Sequence, residues 1–164
     1  EMGDAVAFDA RPEAISPMMF DESTRIAQFV ADAHLHPDLV QAAIDADYDA
    51  LLFHGTGLGH LPIADPQEDS PENTRLRIML ADHCAAGGVV VVVTQTIHGP
   101  VHMDVYDKGR DQQEMGIIGH GSLCPPSSAL VKLHHLLSRD EGRDAVAEGW
   151  DSDLVGENPP DALS

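Results

Sequence analysis

The chain has 164 residues and a formal net charge of −19, from 28 acidic and 9 basic side chains. A chain of this length is expected to form one domain around a single core. Such an acidic surface repels phosphate backbones, which argues against direct binding to nucleic acid. No apolar run reaches the ~18 residues that would span a membrane.

The excess of carboxylates has two interpretations. It is either the acidity of an ordinary soluble protein or an adaptation to high salt, in which dense carboxylates keep the surface hydrated while salt screens their repulsion. Only two of the basic residues are lysines, Lys108 and Lys132, and this scarcity favours the high-salt hypothesis. No basic segment followed by an apolar one opens the sequence, so we expect a cytoplasmic protein in which Cys84 and Cys124 stay unpaired.

The N-terminal part of the chain predicts two strands that flank a helix. Residues 1–25 are irregular and interrupted by prolines, which indicates a linker or an arm, with a short strand at Val6 to Phe8. Ile26 to Ala33 is predicted as the first full strand, and Pro37 then opens a helix with apolar residues at helical spacing. A second strand is predicted from Tyr48 to Phe53.

A longer helix and a valine strand follow. Ser70 is predicted to cap the helix, with Pro71 in its first turn and Gly87 and Gly88 at its end. The run Val89–Val93 is β-branched throughout and too short for a typical helix. It therefore predicts a central parallel strand that is buried on both faces.

Three further helices are predicted in the C-terminal part. A short one covers Arg110 to Met115, and a long one opens at Pro125-Pro126 with an apolar stripe formed by Leu130, Leu133, His134 and Leu137. A last short helix covers Glu141 to Glu148, before a polar tail at residues 158–164. The alternation of strands and helices over residues 26–157 predicts an α/β domain, with a small, Rossmann-like parallel sheet between two layers of helices.

Two loops that follow predicted strands are the candidates for a binding site. Gly55-Thr56-Gly57-Leu58-Gly59 and Thr94-Gln95-Thr96 both lie past the carboxyl end of a strand, where open α/β sheets bind ligands. The glycines lack the spacing of a dinucleotide-binding loop, so a small polar ligand is the better interpretation. The alternatives are a tight turn without a ligand and hydroxyls that bond only within the loop.

His34 and His36 suggest a competing metal site. On a strand they would face the same way, as do the two ligands at the end of the first strand in metal-dependent amidohydrolase barrels. The chain is too short for such a barrel, which needs about 250 residues. The alternative is a pair of surface histidines that lead into a helix.

An ordered set of short segments extends over residues 26–157. They are Tyr48–Phe53, Gly55–His60, Val93–Gln95, Gly99, Val105-Tyr106, Gly109-Arg110, Gly116–Ile118, Ala129–Leu133 and Leu154–Glu157. In this order and spacing they resemble the C-terminal domain of the asparaginase/glutaminase family. Within that family, the motifs are most similar to the D-subunit of the archaeal glutamyl-tRNA(Gln) amidotransferases, and next to the cytoplasmic L-asparaginases.

The resemblance implies the fold of that C-terminal domain and chemistry that hydrolyses amides. The family's catalytic threonine belongs to an N-terminal domain whose motif has no match here, so we expect no catalytic residue, cofactor or metal in this chain. The residues expected to bind a ligand or border a site are His54, Gly55, Thr56, Gly57, His60, Thr94, Gln95 and Thr96. His54 and Thr96 stand where cytoplasmic asparaginases carry arginine and cysteine, which argues against regulation by asparagine.

The expected function is that of a glutaminase subunit that supplies ammonia for converting Glu-tRNA(Gln) to Gln-tRNA(Gln). Its expected partners are an N-terminal asparaginase-type domain, a second copy of the chain and a tRNA-binding amidotransferase subunit. Three alternatives stay open: an L-asparaginase, a non-catalytic small-ligand or dimerisation domain, and a metal-dependent hydrolase that uses His34 and His36.

The net charge predicts that folding depends on salt. Repulsion within the chain is large when the Debye length is about 10 Å, near 0.1 M salt, and small when it is about 3 Å, near 1 M. We expect loss of the folded circular dichroism signal at low KCl concentration and its recovery as KCl is added. A melting temperature that stays constant between roughly 0.1 and 2 M KCl would contradict the high-salt hypothesis.

Overall fold

Three parallel strands form the sheet of this protein, for which a computed structural model describes residues 19–139 and 141–158. The strands are β1 (Ile26–Val30), β2 (Ala50–Gly55) and β3 (Val89–Thr94), in the order β1-β2-β3. Both pairs are in register, so that Ala50 lies between Ile26 and Val89. The strand predicted at Val6 to Phe8 lies outside the described residues.

Helices connect and cover these strands. They are α1 (Pro37–Asp45), α2 (Pro71–Ala85), α3 (Asp107–Glu114), α4 (Pro126–Leu137) and α5 (Gly142–Asp151). α1 and α2 are the crossovers that parallel strands require, and α4 and α5 pack together. The predicted α/β architecture is confirmed.

The period of two along each strand divides the core into two layers. Leu51, Phe53, Val90 and Val92 are fully buried against residues of α1 and α2, such as Val40 and Leu80. Their neighbours Leu52, Val91 and Val93 point to the opposite face and pack with Leu133 and Trp150 of α4 and α5. Because both faces are covered, β2 and β3 can consist almost entirely of apolar residues.

The valine strand is buried on both faces, as predicted, but it is not the middle strand of the three. That position belongs to β2. The outer edge of β3 is occupied by Ile118, whose N–H donates to the Val90 carbonyl at 2.9 Å and whose carbonyl accepts from the Val92 N–H at 2.8 Å. This short pairing covers backbone groups that an edge strand would otherwise expose.

The predicted boundaries of β1 and β2 are wrong by a few residues, because turns adjoin both strands. β1 ends at Val30, where the chain turns and the Leu35 N–H bonds to the Asp32 carbonyl at 3.3 Å. β2 begins at Ala50 rather than Tyr48, since Asp47 adopts a positive φ of 53° just before it.

Ser70 is the N-cap residue of α2, as predicted, but its hydroxyl makes no capping bond. Instead the carboxylate of Asp65 accepts from the backbone N–H groups of Asp69, at 3.0 Å, and Ser70, at 2.9 Å. A carboxylate five residues upstream therefore organises the entry to the helix, and no local pattern identifies it.

In α4 the buried face is rotated from the predicted stripe. Ala129, Lys132, Leu133 and Leu136 are buried, whereas of the predicted residues only Leu133 is. The His134 ring lies near the protein surface and its Nε2 is 2.9 Å from the Asp21 carbonyl oxygen. Asp21, part of the predicted linker, is thus attached to α4.

A buried ion pair lies on this face of α4. The Lys132 ammonium lies 2.8 Å from a carboxylate oxygen of Glu157 and donates to the carbonyls of Trp150, at 2.8 Å, and Ser152, at 2.5 Å. Asn158, the first residue of the predicted tail, is buried beside it and accepts from the Leu123 N–H at 3.0 Å. These bonds hold the chain after α5 against α4. The domain limits at residues 26 and 157 stay predictions.

No helix in the described part of the chain is both long and apolar enough to cross a membrane.

The ion pair predicts a large cost for removing one partner. Glu157→Gln leaves a buried ammonium without its counter-charge and should lower the free energy of unfolding by about 3 kcal/mol, whereas Lys132→Met with Glu157→Gln should recover part of that loss. Urea unfolding in high salt measures both. The control is Glu141→Gln, which breaks the exposed pair with Arg139 and should cost under ~1 kcal/mol. If Glu157→Gln and Glu141→Gln lowered the free energy of unfolding equally, Lys132 and Glu157 would not form a buried ion pair.

The same pair makes the stability of the protein depend on pH under acidic conditions. Burial opposes ionisation of Glu157, but its bonds from Lys132 and from the Val155 and Leu154 N–H groups outweigh burial and hold its pKa below the ordinary 4.5. A lowered pKa contributes stability that is present above the ordinary pKa and lost as the pH falls through the lowered one.

Candidate functional site

The two predicted site loops meet at the carboxyl edge of the sheet. Gly55 ends β2 and Thr94 ends β3, and the two residues are direct neighbours in the strand pairing. The next residue, Gln95, continues the contact because its N–H donates to the Gly55 carbonyl at 2.9 Å. Strand register alone therefore brings together loops that are about 40 residues apart in sequence.

The glycine loop is a closed turn. Thr56 and His60 exchange two backbone hydrogen bonds, each 2.9 Å long. Gly57 and Gly59 both adopt positive φ angles, of 52° and 90°. The loop thus folds back on itself within five residues, in conformations that glycine takes without strain.

Two of the glycines are also needed for close packing. A Cβ on Gly55 would lie 2.5 Å from the carbonyl carbon of Gly59, and one on Gly59 would lie 2.7 Å from a methyl group of Val101. A Cβ on Gly57 would meet nothing within 4 Å, so that side of the loop is open.

The threonine hydroxyls fasten the two loops together. The buried Thr94 hydroxyl donates to the Gly57 carbonyl and accepts from the Thr96 N–H at 3.1 Å. The Thr56 hydroxyl donates to the His60 carbonyl at 3.2 Å. These oxygens thus bond to backbone groups and to a second hydroxyl, and none of these partners is a base that could activate a nucleophile.

The Gln95 side chain also forms hydrogen bonds at this edge of the sheet. Its amide nitrogen donates to the His54 carbonyl at 2.7 Å and to the Ala31 carbonyl at 3.2 Å, and so joins the ends of β1 and β2. The structure brings all eight predicted site residues together at this edge, but their bonds are largely internal. Whether they bind a ligand stays a prediction.

His54 and His60 contribute no positive charge at neutral pH. Burial lowers the pKa of both imidazoles, and the nearby Lys108 lowers that of His60 further. The His60 ring is buried and stands edge-on to Tyr106, with centroids 5.4 Å apart. A carboxylate ligand would therefore find no cation in these two side chains, in contrast to a loop that carries arginine at position 54.

Gln112 supports the glycine loop and was not predicted. Its side chain is fully buried beneath the loop, accepts from the Leu61 N–H at 2.8 Å and donates to the Gly59 carbonyl at 3.0 Å. It satisfies two backbone groups that would otherwise be buried without partners. A polar residue in a short, charged helix gives no sign in the sequence that it points inward.

His34 and His36 are not arranged as the metal-site alternative requires. The strand ends before them: His34 lies exposed in the turn after β1, and His36 precedes α1, where its Nδ1 accepts from the Asp38 N–H at 3.4 Å. This favours the alternative of surface histidines that lead into a helix.

Another group, His102, Asp104 and His120, has side-chain ligand atoms within 4.8 Å of one another. The Met103 N–H donates to Nδ1 of His120 at 3.0 Å, so the neutral ring carries its proton on Nε2, which lies 3.4 Å from Asp104. A metal would need the lone pair of that same Nε2. The arrangement therefore fits a hydrogen-bonded pair better than a set of metal ligands.

Neither cysteine is a nucleophile. Burial raises the pKa of the Cys84 thiol and raises that of Cys124 to about 11. Cys124 lines a cavity of about 470 Å³ beside the loop Thr94–Thr96, but a buried, protonated thiol is inert.

Comparison with solved structures defines the class of fold. The L-asparaginase from Thermococcus kodakarensis superposes with a TM-score of 0.68 at 23% identity, over 82% of this chain and 38% of that one. L-asparaginase I from Vibrio cholerae gives 0.67 at 25% identity, over 83% and 38%. The α/β domain described above thus has the fold of one part of an asparaginase.

Sequence comparison identifies which part. The family model "Glutaminase/Asparaginase C-terminal domain" matches residues 25–148, and the chain belongs to that family. Similar curated proteins include two that are named as the D-subunit of glutamyl-tRNA(Gln) amidotransferase. The one from Methanococcus maripaludis (strain C5) is 31% identical over 82% of this chain and 30% of its own length, and that from Metallosphaera sedula is 32% identical over 77% and 26%. The chain therefore spans less than a third of these relatives, and the predicted resemblance is confirmed.

The packing of the glycine loop predicts which glycine tolerates substitution by alanine better. Gly55→Ala forces a Cβ into the Gly59 backbone and should lower the free energy of unfolding by about 2 kcal/mol, as overpacking does. Gly57→Ala meets no atom and should cost only about 1 kcal/mol, from its positive φ. Urea unfolding in high salt measures the difference. If Gly57→Ala proved the more damaging variant, the close approach of Gly55 to Gly59 would not be the main constraint.

Proposed function

We propose that this domain is the C-terminal part of a glutaminase subunit that supplies ammonia for tRNA-dependent amidotransfer, in which Glu-tRNA(Gln) becomes Gln-tRNA(Gln). The observation that carries the proposal is the likeness to the D-subunit of glutamyl-tRNA(Gln) amidotransferases, at about 31% identity over most of the chain. The likeness to L-asparaginases is lower in identity and supports the fold. The proposed location, with the translation machinery, is the cytoplasm.

In this proposal the domain supports catalysis without carrying it out. Amide hydrolysis needs an activated nucleophile, a base within reach and donors for the oxyanion. The hydroxyls of Thr56, Thr94 and Thr96 bond to backbone and to each other, and the neighbouring imidazoles are held neutral by burial. The nucleophile is therefore assigned to an N-terminal asparaginase-type domain, of the same or a neighbouring chain.

The carboxyl edge of the sheet suits contact with that domain. The open side of Gly57 leaves backbone groups accessible, and Gly55, Gln112 and Thr94 hold the loop in one conformation. Ile97, 92% exposed, and Tyr106 add apolar surface next to it. The proposed domain limits are residues 26–157, preceded by a linker at 1–25 and followed by a tail at 158–164.

The proposed partners follow from the same assignment. A second copy of the chain would pair with the first, and a separate subunit would bind the tRNA, because a surface with a net charge of −19 repels phosphates. Regulation by free asparagine is not part of the proposal, since His54 supplies no charge for the amino acid's carboxylate.

Ammonia release tests whether catalysis depends on the N-terminal domain. Residues 1–164 alone, in high salt, should release no ammonia from glutamine or asparagine, while the same residues together with the N-terminal asparaginase-type domain should hydrolyse glutamine and, with the tRNA-binding subunit, amidate Glu-tRNA(Gln). Turnover by residues 1–164 that Thr94→Ala or Thr56→Ala abolishes would contradict the absence of catalytic residues. An assembly of the two domains that hydrolyses only asparagine, without amidating tRNA, would replace the proposal by the L-asparaginase alternative.

A further inference from the structure

His120 holds the backbone next to the glycine loop through a hydrogen bond that only its neutral form can make. Its Nδ1 accepts from the Met103 N–H at 3.0 Å, and its Nε2 lies 3.4 Å from a carboxylate oxygen of Asp104. A neutral ring with its proton on Nε2 satisfies both contacts. A protonated ring carries a proton on each nitrogen, so its Nδ1 can no longer accept from Met103.

Burial makes the Met103 N–H dependent on this bond. Met103 is fully buried, and in the described part of the chain its N–H donates to His120 alone. Its carbonyl is packed against α3, since a Cβ on Gly109 would lie 2.3 Å from the Met103 oxygen. A buried donor without an acceptor is unfavourable, so loss of the bond requires this backbone to shift.

Met103 adjoins two residues that contact the glycine loop. The His102 N–H donates to the Leu58 carbonyl at 3.0 Å. The Val101 side chain packs so closely against Gly59 that a Cβ there would lie 2.7 Å from a methyl group of Val101. A shift of the Met103 backbone therefore acts on two contacts of the loop, which are made by residues one and two positions away.

Two carboxylates face His120. Asp104 lies beside Nε2, and a bond from Gln113 together with the positive charge of His120 helps to hold its pKa below the ordinary value. Asp151, at the end of α5, is close enough for the His120 charge to oppose the rise that burial causes in its pKa. Protonation of His120 thus strengthens its attraction to both carboxylates while it removes the bond to Met103.

The other groups of this kind around the ring are basic. The His102 ring stands edge-on to that of His120, with centroids 5.5 Å apart. Arg110 acts on Asp104, and Lys132 acts on Asp151. Each carboxylate is therefore shared with a second cation, and neither is reserved for His120.

We propose that His120 makes the conformation of the glycine loop depend on pH: when Nδ1 is protonated, the Met103 N–H is released and residues 101–103 withdraw their support from Gly59 and from the Leu58 carbonyl. With His120 neutral, the loop is held in the conformation described above. With His120 charged, the loop becomes more mobile. The inference depends on the backbone around the loop and not on the proposed amide hydrolysis, so either proposal can fail alone.

Amide hydrogen exchange, followed by NMR in ¹⁵N-labelled residues 1–164, tests this contact. The solution would contain about 2 M KCl and cover about pH 8 to about pH 5, the range in which histidines ordinarily titrate. After correction for the intrinsic effect of pH, the Met103 and His102 amides should exchange about tenfold faster at the acidic end, as the loss of one hydrogen bond implies. The midpoint of this change should coincide with the titration of the His120 ring protons.

Two matched variants separate His120 from the other histidines. In His120→Asn the side-chain oxygen can replace Nδ1 as the acceptor and cannot be protonated in this range, so the change in exchange should disappear. His135→Asn removes a half-buried histidine from α4 and should leave the change as it is in the unaltered chain.

Two results would overturn the proposal. The first is Met103 exchange that does not follow the His120 titration in the unaltered chain, which requires no variant to fold. The second is a change that His102→Asn abolishes and His120→Asn does not, because the proton would then act through the neighbouring ring.

Discussion

The pairing of β2 with β3 is the constraint on which the rest of this structure depends. Both strands are buried on both faces, so neither can shift by one residue without moving apolar side chains from one helical layer to the other. That fixed register sets Gly55 beside Thr94, and it is this adjacency that lets the Thr94 hydroxyl reach the Gly57 carbonyl. Core packing therefore fixes the register of the strands, and the register in turn fixes the geometry of the candidate site.

Local sequence was sufficient to predict the elements that depend on local physics. Consecutive β-branched residues at Val89–Val93 could only be a buried strand, and prolines at positions 37, 71 and 126 begin three helices as expected. The positions of the site loops followed, because the carboxyl ends of parallel strands share an edge. The strand boundaries near Asp47 and Asp32 were missed, since a single positive φ or a side chain that bonds to the backbone ends a strand without changing its hydrophobic pattern.

Polar residues that act over long distances in sequence could not be predicted. Gln112 satisfies backbone groups of a loop more than 50 positions away, and Lys132 is buried because Glu157 returns to neutralise it. Each would normally be assigned to the surface by its type. Asp65 is a further case: its bonds to the backbone before α2 depend on how the chain folds, and not on its neighbours in sequence.

The distribution of aromatic residues makes the two core layers separately visible by spectroscopy. The single tryptophan, Trp150, is fully buried in the layer formed by α4 and α5, while Tyr48 packs in the layer on the other side of the sheet. Indole fluorescence therefore reports solvent entry beneath α4 and α5 and is insensitive to events around α1 and α2. In a protein whose charge makes salt a folding variable, comparing indole emission with the far-ultraviolet signal distinguishes concerted unfolding from the loosening of one layer.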